Sequence, residues 1–328
     1  MTIFPTQYSV LSAKGVKAYL EEYYNLGIIN CKLIIHNVSD TYIAESKDEK
    51  YIFKIYRDAH RSLEEIKAEV ELLTKYKENG ASVSFPLKDV SGNYLQSFNA
   101  AEGTRYGVMF SYAKGKPVYV LSDIHLELIG KEMAKLHLIS EAVQLSYPRK
   151  EYTIDTMLSG PLKVIRPAFD ELQEEYEYLC EATRQVIDEM SKLDTSNFSY
   201  GYCQYDFLPK NFHFENDKKL TFFDFDFAGK GYLINDITTF YIHFFLDVYY
   251  GKMKREEADR SFNIFLNAYR TVKPVSNEEI KSIKLFGFGF WMFYFGFHHE
   301  NFDDWSNFFY TPNFIKSRID LFKKWMDY

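Results

Sequence analysis

The spacing of apolar positions changes character near residue 112: before it short β-prone runs are interspersed with two helical stretches, and after it apolar positions recur mainly at helical intervals. Residues 12–24 predict an opening amphipathic helix. β-prone runs follow at Cys31–His36, Thr41–Glu45 and Tyr51–Tyr56, with Ser46-Lys47-Asp48-Glu49-Lys50 turning the second into the third. Leu63, Ile66, Val70 and Leu73 then predict a helix over 61–78 that stops near Gly80. Two further strands are expected at Ser82–Leu87 and Arg105–Tyr112, with a Ser91-Gly92-Asn93 turn between them. Ala113-Lys114-Gly115-Lys116-Pro117 reads as a linker. Beyond it helices are predicted over 122–141, 165–193, 236–250, 254–272, 277–297 and 312–327, and the one β interruption is a hairpin at 211–226. The class is α+β, with a β-rich amino lobe over 1–112, an α-rich carboxy lobe over 113–328 and an expected cleft at the linker.

Composition narrows the class of function. With 46% hydrophobic residues and abundant aromatics, each lobe can build its own core. A formal charge of −7 disfavours a nucleic-acid partner and slightly favours a cationic one. Cys31, Cys180 and Cys203 are odd in number and far apart, which suggests a reducing compartment. No basic segment leads into an apolar run at the start, and Leu285–Phe297 is too short to cross a bilayer. A cytoplasmic protein without a membrane partner is expected; the oligomeric state is open.

The densest chemistry lies in residues 203–226, C-Q-Y-D-F-L-P-K-N-F-H-F-E-N-D-K-K-L-T-F-F-D-F-D. Asp206 falls in a loop, Asn211 follows it at Asp-x-x-x-x-Asn spacing, and the hairpin then carries Asp224 back towards Asn211. Asn211 and Asp224 could ligate a Mg²⁺ that bridges nucleotide phosphates, while Asp206 faces an acceptor hydroxyl. The Asp/Asn spacing alone means little; its place inside a strand-turn-strand that ends in Asp-Phe-Asp gives it weight.

Upstream, Lys54 in Tyr51-Ile52-Phe53-Lys54-Ile55-Tyr56 could reach the α- and β-phosphates, with Glu69 holding its ammonium extended. Taken alone, such a lysine is more often exposed on an edge strand. Glu65 and Glu71 compete with Glu69 on the same helix. No glycine-rich loop joins the first two strands, so backbone amides with Ser39 and Thr41 would cover the phosphates, unless His36–Thr41 is an ordinary turn. The strand ending Met109-Phe110-Ser111-Tyr112 would offer backbone groups at Ser111 to an adenine edge, with Met109 near the base.

Near the end of the chain, Phe290, Trp291, Tyr294, Phe295 and Phe297 precede His298-His299-Glu300 and Asp303-Asp304-Trp305. Aromatic faces with carboxylates can hold a cation, so Glu300, Asp303, Asp304 and Trp305 are placed at a candidate acceptor pocket. The competing reading is core packing followed by a solvated acidic loop.

In order along the chain, Lys54, Glu69, "VMFSYAKGKPV", "LIGKEMAKLHLIS" (128–140), Asp206 to Asn211, Asp224-Phe225-Asp226, Gly231 and Asn235-Asp236-Ile237 resemble the aminoglycoside phosphotransferase and choline kinase family over about residues 30–250. The resemblance implies a protein-kinase-like two-lobe fold. It implies an ATP- and Mg²⁺-dependent kinase, with GTP still open, acting on a hydroxyl of a small molecule such as an aminoglycoside, choline or homoserine. Asp206 is then implied to orient or deprotonate that hydroxyl, Asn211 and Asp224 to ligate Mg²⁺, and Lys54 to contact phosphate. Asp236 is implied to brace the loop from beneath, with Asp226 supporting the metal site. Family members usually carry His two residues before the loop aspartate, where this chain has Gln204. That departure keeps a second reading alive, a nucleotide-binding regulator without catalysis. A kinase acting on protein ranks below both, because only a short stretch separates Asp226 from Asp236.

Overall fold

Alternation in the first part of the chain becomes one antiparallel sheet. The computed structural model describes residue 6 and residues 8–57, 60–301 and 310–328. Helix α1 (Ala13–Tyr23) precedes strands β1 (Asn30–His36), β2 (Ser39–Glu45) and β3 (Lys50–Tyr56). Helix α2 (Leu63–Glu78) follows, started by a capping box in which Ser62 and Glu65 satisfy each other's backbone N–H groups. Strands β4 (Pro86–Leu87), β5 (Leu95–Ala100) and β6 (Gly103–Ser111) complete the sheet, ordered β1-β2-β3-β6-β4 with β5 also on β6.

The register sorts this sheet into two faces. Lys54 lies opposite Thr41 and Val108, whereas Phe53 lies opposite Tyr42 and Met109. Successive side chains point to opposite sides, so Tyr42, Phe53 and Met109 form a core with Val16 and Leu20 of α1, and Lys54 stands on the other face. The fully buried Arg105 ties three strands together. It donates from Nε to the Tyr56 carbonyl at 2.8 Å and pairs with Asp40 at 3.1 Å.

Contacts divide the chain into two units. One holds the residues up to Lys114 with Gln144–Pro148 and Thr221–Phe223; the other holds Gly115–Val143, Arg149–Leu220 and Asp224–Tyr328. The second unit is mainly helical: α3 (Asp123–Ala142), α4 (Gly160–Val164) and α5 (Gln173–Ser191) come first. Strands β7 (Tyr200–Cys203), β8 (Phe212–Glu215), β9 (Lys219–Phe222) and β10 (Gly229–Tyr232) form two short ladders, β7 with β10 and β8 with β9. Helices α6 (Ile234–Tyr249), α7 (Arg255–Arg270), α8 (Asn277–Lys281), α9 (Ile283–Asn301) and α10 (Pro312–Asp327) follow. The α+β class and the expected hairpin are both present. Leu285–Phe297 is the buried stretch of α9, and among the described residues no helix is long and apolar enough to cross a membrane.

Several elements differ from expectation. Only Pro86–Leu87 of the expected 82–87 strand pairs with β6; Ser82 and Ser84 spend their backbone groups on Phe222 instead. Strand β5 alternates weakly in sequence and is defined by its pairing with β6. The β7–β10 ladder carries Gly201, Gly229 and Gly231, which depress strand propensity yet let Ser140, Lys150 and Tyr152 approach the backbone. The helix expected from 165 begins at Gln173, after a π-turn at Asp155–Ser159, α4 and a 3₁₀ turn at Arg166–Phe169 started by Pro167. The helix expected over 277–297 is two, broken at Ser282.

Helices α3 and α7 meet at Gly130, where an added Cβ would fall inside the van der Waals shell of the Phe265 carbonyl oxygen. Gly130→Ala is therefore expected to push the helices apart and lower stability by about 1–3 kcal/mol. Urea denaturation followed by tryptophan fluorescence checks this, and an unshifted midpoint contradicts it.

Candidate active site

The loop after β7 is held from below by one carboxylate. Asp236, at the start of α6 and fully buried, accepts the backbone N–H of Gln204 at 2.9 Å and of Tyr205 at 2.7 Å. His137 of α3 lies 3.2 Å from the same carboxylate and 2.8 Å from the hydroxyl of Tyr269 on α7, so three helices meet under the loop. Asp236 thus has the bracing position that the resemblance implies. Tyr205 bends back with φ of +67°, a region bulky side chains rarely enter. Its buried ring is stacked 3.5 Å from Tyr152 and packed edge-on against Phe293. That burial offsets the backbone strain at the residue just before Asp206.

Asp206 is almost wholly buried, and two donors converge on one of its oxygens. Asn211 Nδ2 donates to Oδ2 at 2.8 Å and to the Asp206 carbonyl at 2.7 Å, while Lys210 Nζ lies 2.8 Å from the same Oδ2. Burial raises the carboxyl above its ordinary range; Lys210 and Asn211 pull the other way without cancelling it, and nearby Asp224 adds to the rise. No hydrogen bond occupies Oδ1 of Asp206 or the amide oxygen of Asn211 among the described residues. The 3₁₀ turn Pro209–Asn211, with Pro209 setting its first dihedral, puts Lys210 and Asn211 where both reach back.

Asp224 follows β9 with φ of +61°, tolerated because its side chain is short and polar, and the residue is exposed. Gln204 Nε2 donates to the Asp224 carbonyl at 3.3 Å, so the glutamine at the departing position links the two acidic segments. Arg149 then clamps the turn. Its Nε donates to the carbonyl of Ala228 at 2.5 Å, and its Nη2 donates to those of Phe225 at 2.8 Å and Asp226 at 2.6 Å. Asp206 and Asp224 both act electrostatically on Tyr294 of α9, whose phenol is raised well above its usual range chiefly by burial. The Tyr294 and Tyr205 hydroxyls are buried, and neither has a hydrogen-bond partner among the described residues.

In the first unit Lys54 is nearly buried, with its ammonium 4.0 Å from Glu69 Oε1 and 5.3 Å from the centre of the Tyr56 ring. Of the competing glutamates, Glu65 is used in the helix cap and Glu71 binds Ser146 and Lys75. Thr41 and Ser39 pair with Lys54 and Tyr56 and so share the Lys54 face. Met109 does not: strand alternation puts its side chain in the α1 core, which corrects the expectation that it stands beside a base. Ser111 is likewise engaged within its own unit, its N–H donating to Phe85 and its carbonyl and hydroxyl oxygens accepting from Ser84 and Phe85. Glu300 is exposed at the end of α9, and among the described residues no hydrogen bond or ion pair joins it to Asp206. Asp303, Asp304 and Trp305 lie outside the described residues.

The sequence profile of the phosphotransferase enzyme family matches residues 31–271, which span β1 to the end of α7 and include the whole loop. The chain belongs to the phosphotransferase enzyme family. A homoserine kinase of Polaromonas naphthalenivorans is 23% identical over 269 residues, covering 78% of this chain and 77% of its own. Among solved structures, an amicoumacin kinase in complex with AMP-PNP, Ca²⁺ and Ami superposes with a TM-score of 0.71 at 19% identity, covering 94% of this chain and 93% of its own. A microcompartment-associated aminopropanol kinase gives 0.67 at 15% identity, with 95% of both chains covered. These likenesses show the protein-kinase-like fold. The chain is thus a phosphotransferase of a family of small-molecule kinases.

Within this family member, sequence reasoning passed over Lys210, Arg149 and the Tyr205–Tyr152 stack. Lys210 was legible: it is the one cation between Asp206 and Asn211. Arg149 was not, because it reaches residues 225–228 only through the fold. Removing the Asp236 carboxylate strands two buried N–H groups and His137. Asp236→Ala is expected to cost about 2–5 kcal/mol, and a urea midpoint within error of the parent contradicts the bracing role.

Proposed function

We propose that the chain transfers the γ-phosphoryl group of ATP to a hydroxyl of a small, amine-bearing molecule. The observation that carries this reading is the loop in which a buried Asp206 keeps one carboxylate oxygen unengaged beside Asn211. Asp206 Oδ1 receives the acceptor O–H and orients its oxygen towards the phosphorus, and positioning of this kind supplies most of the rate in phosphoryl transfer.

Asn211 and Asp224 would hold Mg²⁺. Asn211 spends its amide nitrogen on Asp206 and keeps its amide oxygen, and Asp224 is an exposed carboxylate, so the donors are hard oxygens. Among the described residues no group of three or more His, Cys, Asp or Glu side chains could hold a metal by itself, so one carboxylate and one amide would share the ion with phosphates and water. When bound, the ion neutralises charge on the β- and γ-phosphates. Lys54, kept extended by Glu69, binds the α- and β-phosphates, and Ser39 and Thr41 lie on its face of the sheet. An amine-bearing acceptor is supported by the homoserine and aminopropanol kinases among the similar proteins.

Incubation with Mg·ATP and a mixture containing homoserine, aminopropanol and choline is expected to give one product heavier by a phosphoryl group, detected by mass spectrometry. Asp206→Ala should lower its formation by roughly 10²–10⁴, while Asp224→Ala also weakens Mg·ATP binding. Undiminished turnover in Asp206→Ala rules the assignment out.

A further inference from the structure

Lys210 is a lysine four residues after Asp206, and a surface pair at that spacing would count for little. This pair is different, because Asp206 is only 5% exposed while the Lys210 side chain is half exposed. The ammonium and the Asn211 amide both end on Oδ2, at 2.8 Å each, and nothing in the described chain binds Oδ1.

We propose that Lys210 is a positioning residue for phosphoryl transfer: with Asn211 it takes up Oδ2 of Asp206, so that Oδ1 alone is presented to the acceptor hydroxyl. The inference rests on the kinase reading above. Without Lys210 the carboxylate has one fewer donor to fix its torsion, and the hydroxyl loses its alignment with the phosphorus although the nucleotide is still held. The role demands a cation long enough to reach Oδ2, which arginine satisfies and alanine does not.

The test uses the full chain and two readouts: ADP release from Mg·ATP with homoserine, aminopropanol, choline or water as acceptor, and calorimetric binding of Mg·ATP. Lys210→Ala is expected to keep Mg·ATP affinity within about threefold and to lower kcat by roughly 10–100-fold, with Lys210→Arg recovering most of the loss. Parental kcat in Lys210→Ala overturns the proposal. So does loss of Mg·ATP binding in that variant, which makes Lys210 a nucleotide contact, and so does an arginine variant as slow as the alanine one. A parent chain that releases no ADP with any acceptor sinks the kinase reading itself and this proposal with it.

Discussion

A single buried carboxylate sets the conditions for the rest of the site. Asp236 has no solvent to satisfy it, and it is satisfied by two consecutive backbone N–H groups of the loop and by His137. Burying an ionised group is tolerable only when its hydrogen bonds are complete, so the loop cannot relax without exposing that cost. The consequence is a fixed exit direction for the chain at Tyr205. Asp206, Lys210 and Asn211 all follow that point within one short loop.

Strain and clamping complete the arrangement. Tyr205 and Asp224 both hold left-handed backbone conformations, and each is locked by its surroundings: Tyr205 by ring stacking, Asp224 by Gln204 and the adjoining Arg149 clamp. Strained residues persist where neighbouring structure overdetermines them, and such places are often functional. Here the two strained residues lie on the two acidic segments, joined by the Gln204 side chain. The glutamine therefore has a mechanical role: it keeps one donor aimed at the Asp224 carbonyl.

Local patterns explain how much of this was readable beforehand. The helical spacing of Leu63, Ile66, Val70 and Leu73, the β-prone runs at Thr41–Glu45 and Tyr51–Tyr56, and the Asp206–Asn211 spacing are short-range features, and they predict α2, the β2–β3 pair and the loop. Met109 was misplaced because only the register, which pairs it with Phe53, tells which face of β6 it occupies. The β7–β10 ladder escaped notice because its glycines look like turn residues until Ser140 and Tyr152 are seen pressing on them. Arg149 and Tyr152 escaped for a related reason, since their partners lie more than fifty residues away along the chain.

In the proposed reaction the oxygens of Asn211 and Asp224 would share one divalent ion with the nucleotide, and Asp206 would stay outside its coordination shell. A crystal structure with AMP-PNP and Mn²⁺, read from the manganese anomalous signal, tests this most directly. One peak is expected about 2.1 Å from an Asp224 carboxylate oxygen and from the Asn211 amide oxygen, with phosphate oxygens completing its shell. A nucleotide-bound ion ligated by Asp206, or bound without Asp224, contradicts it.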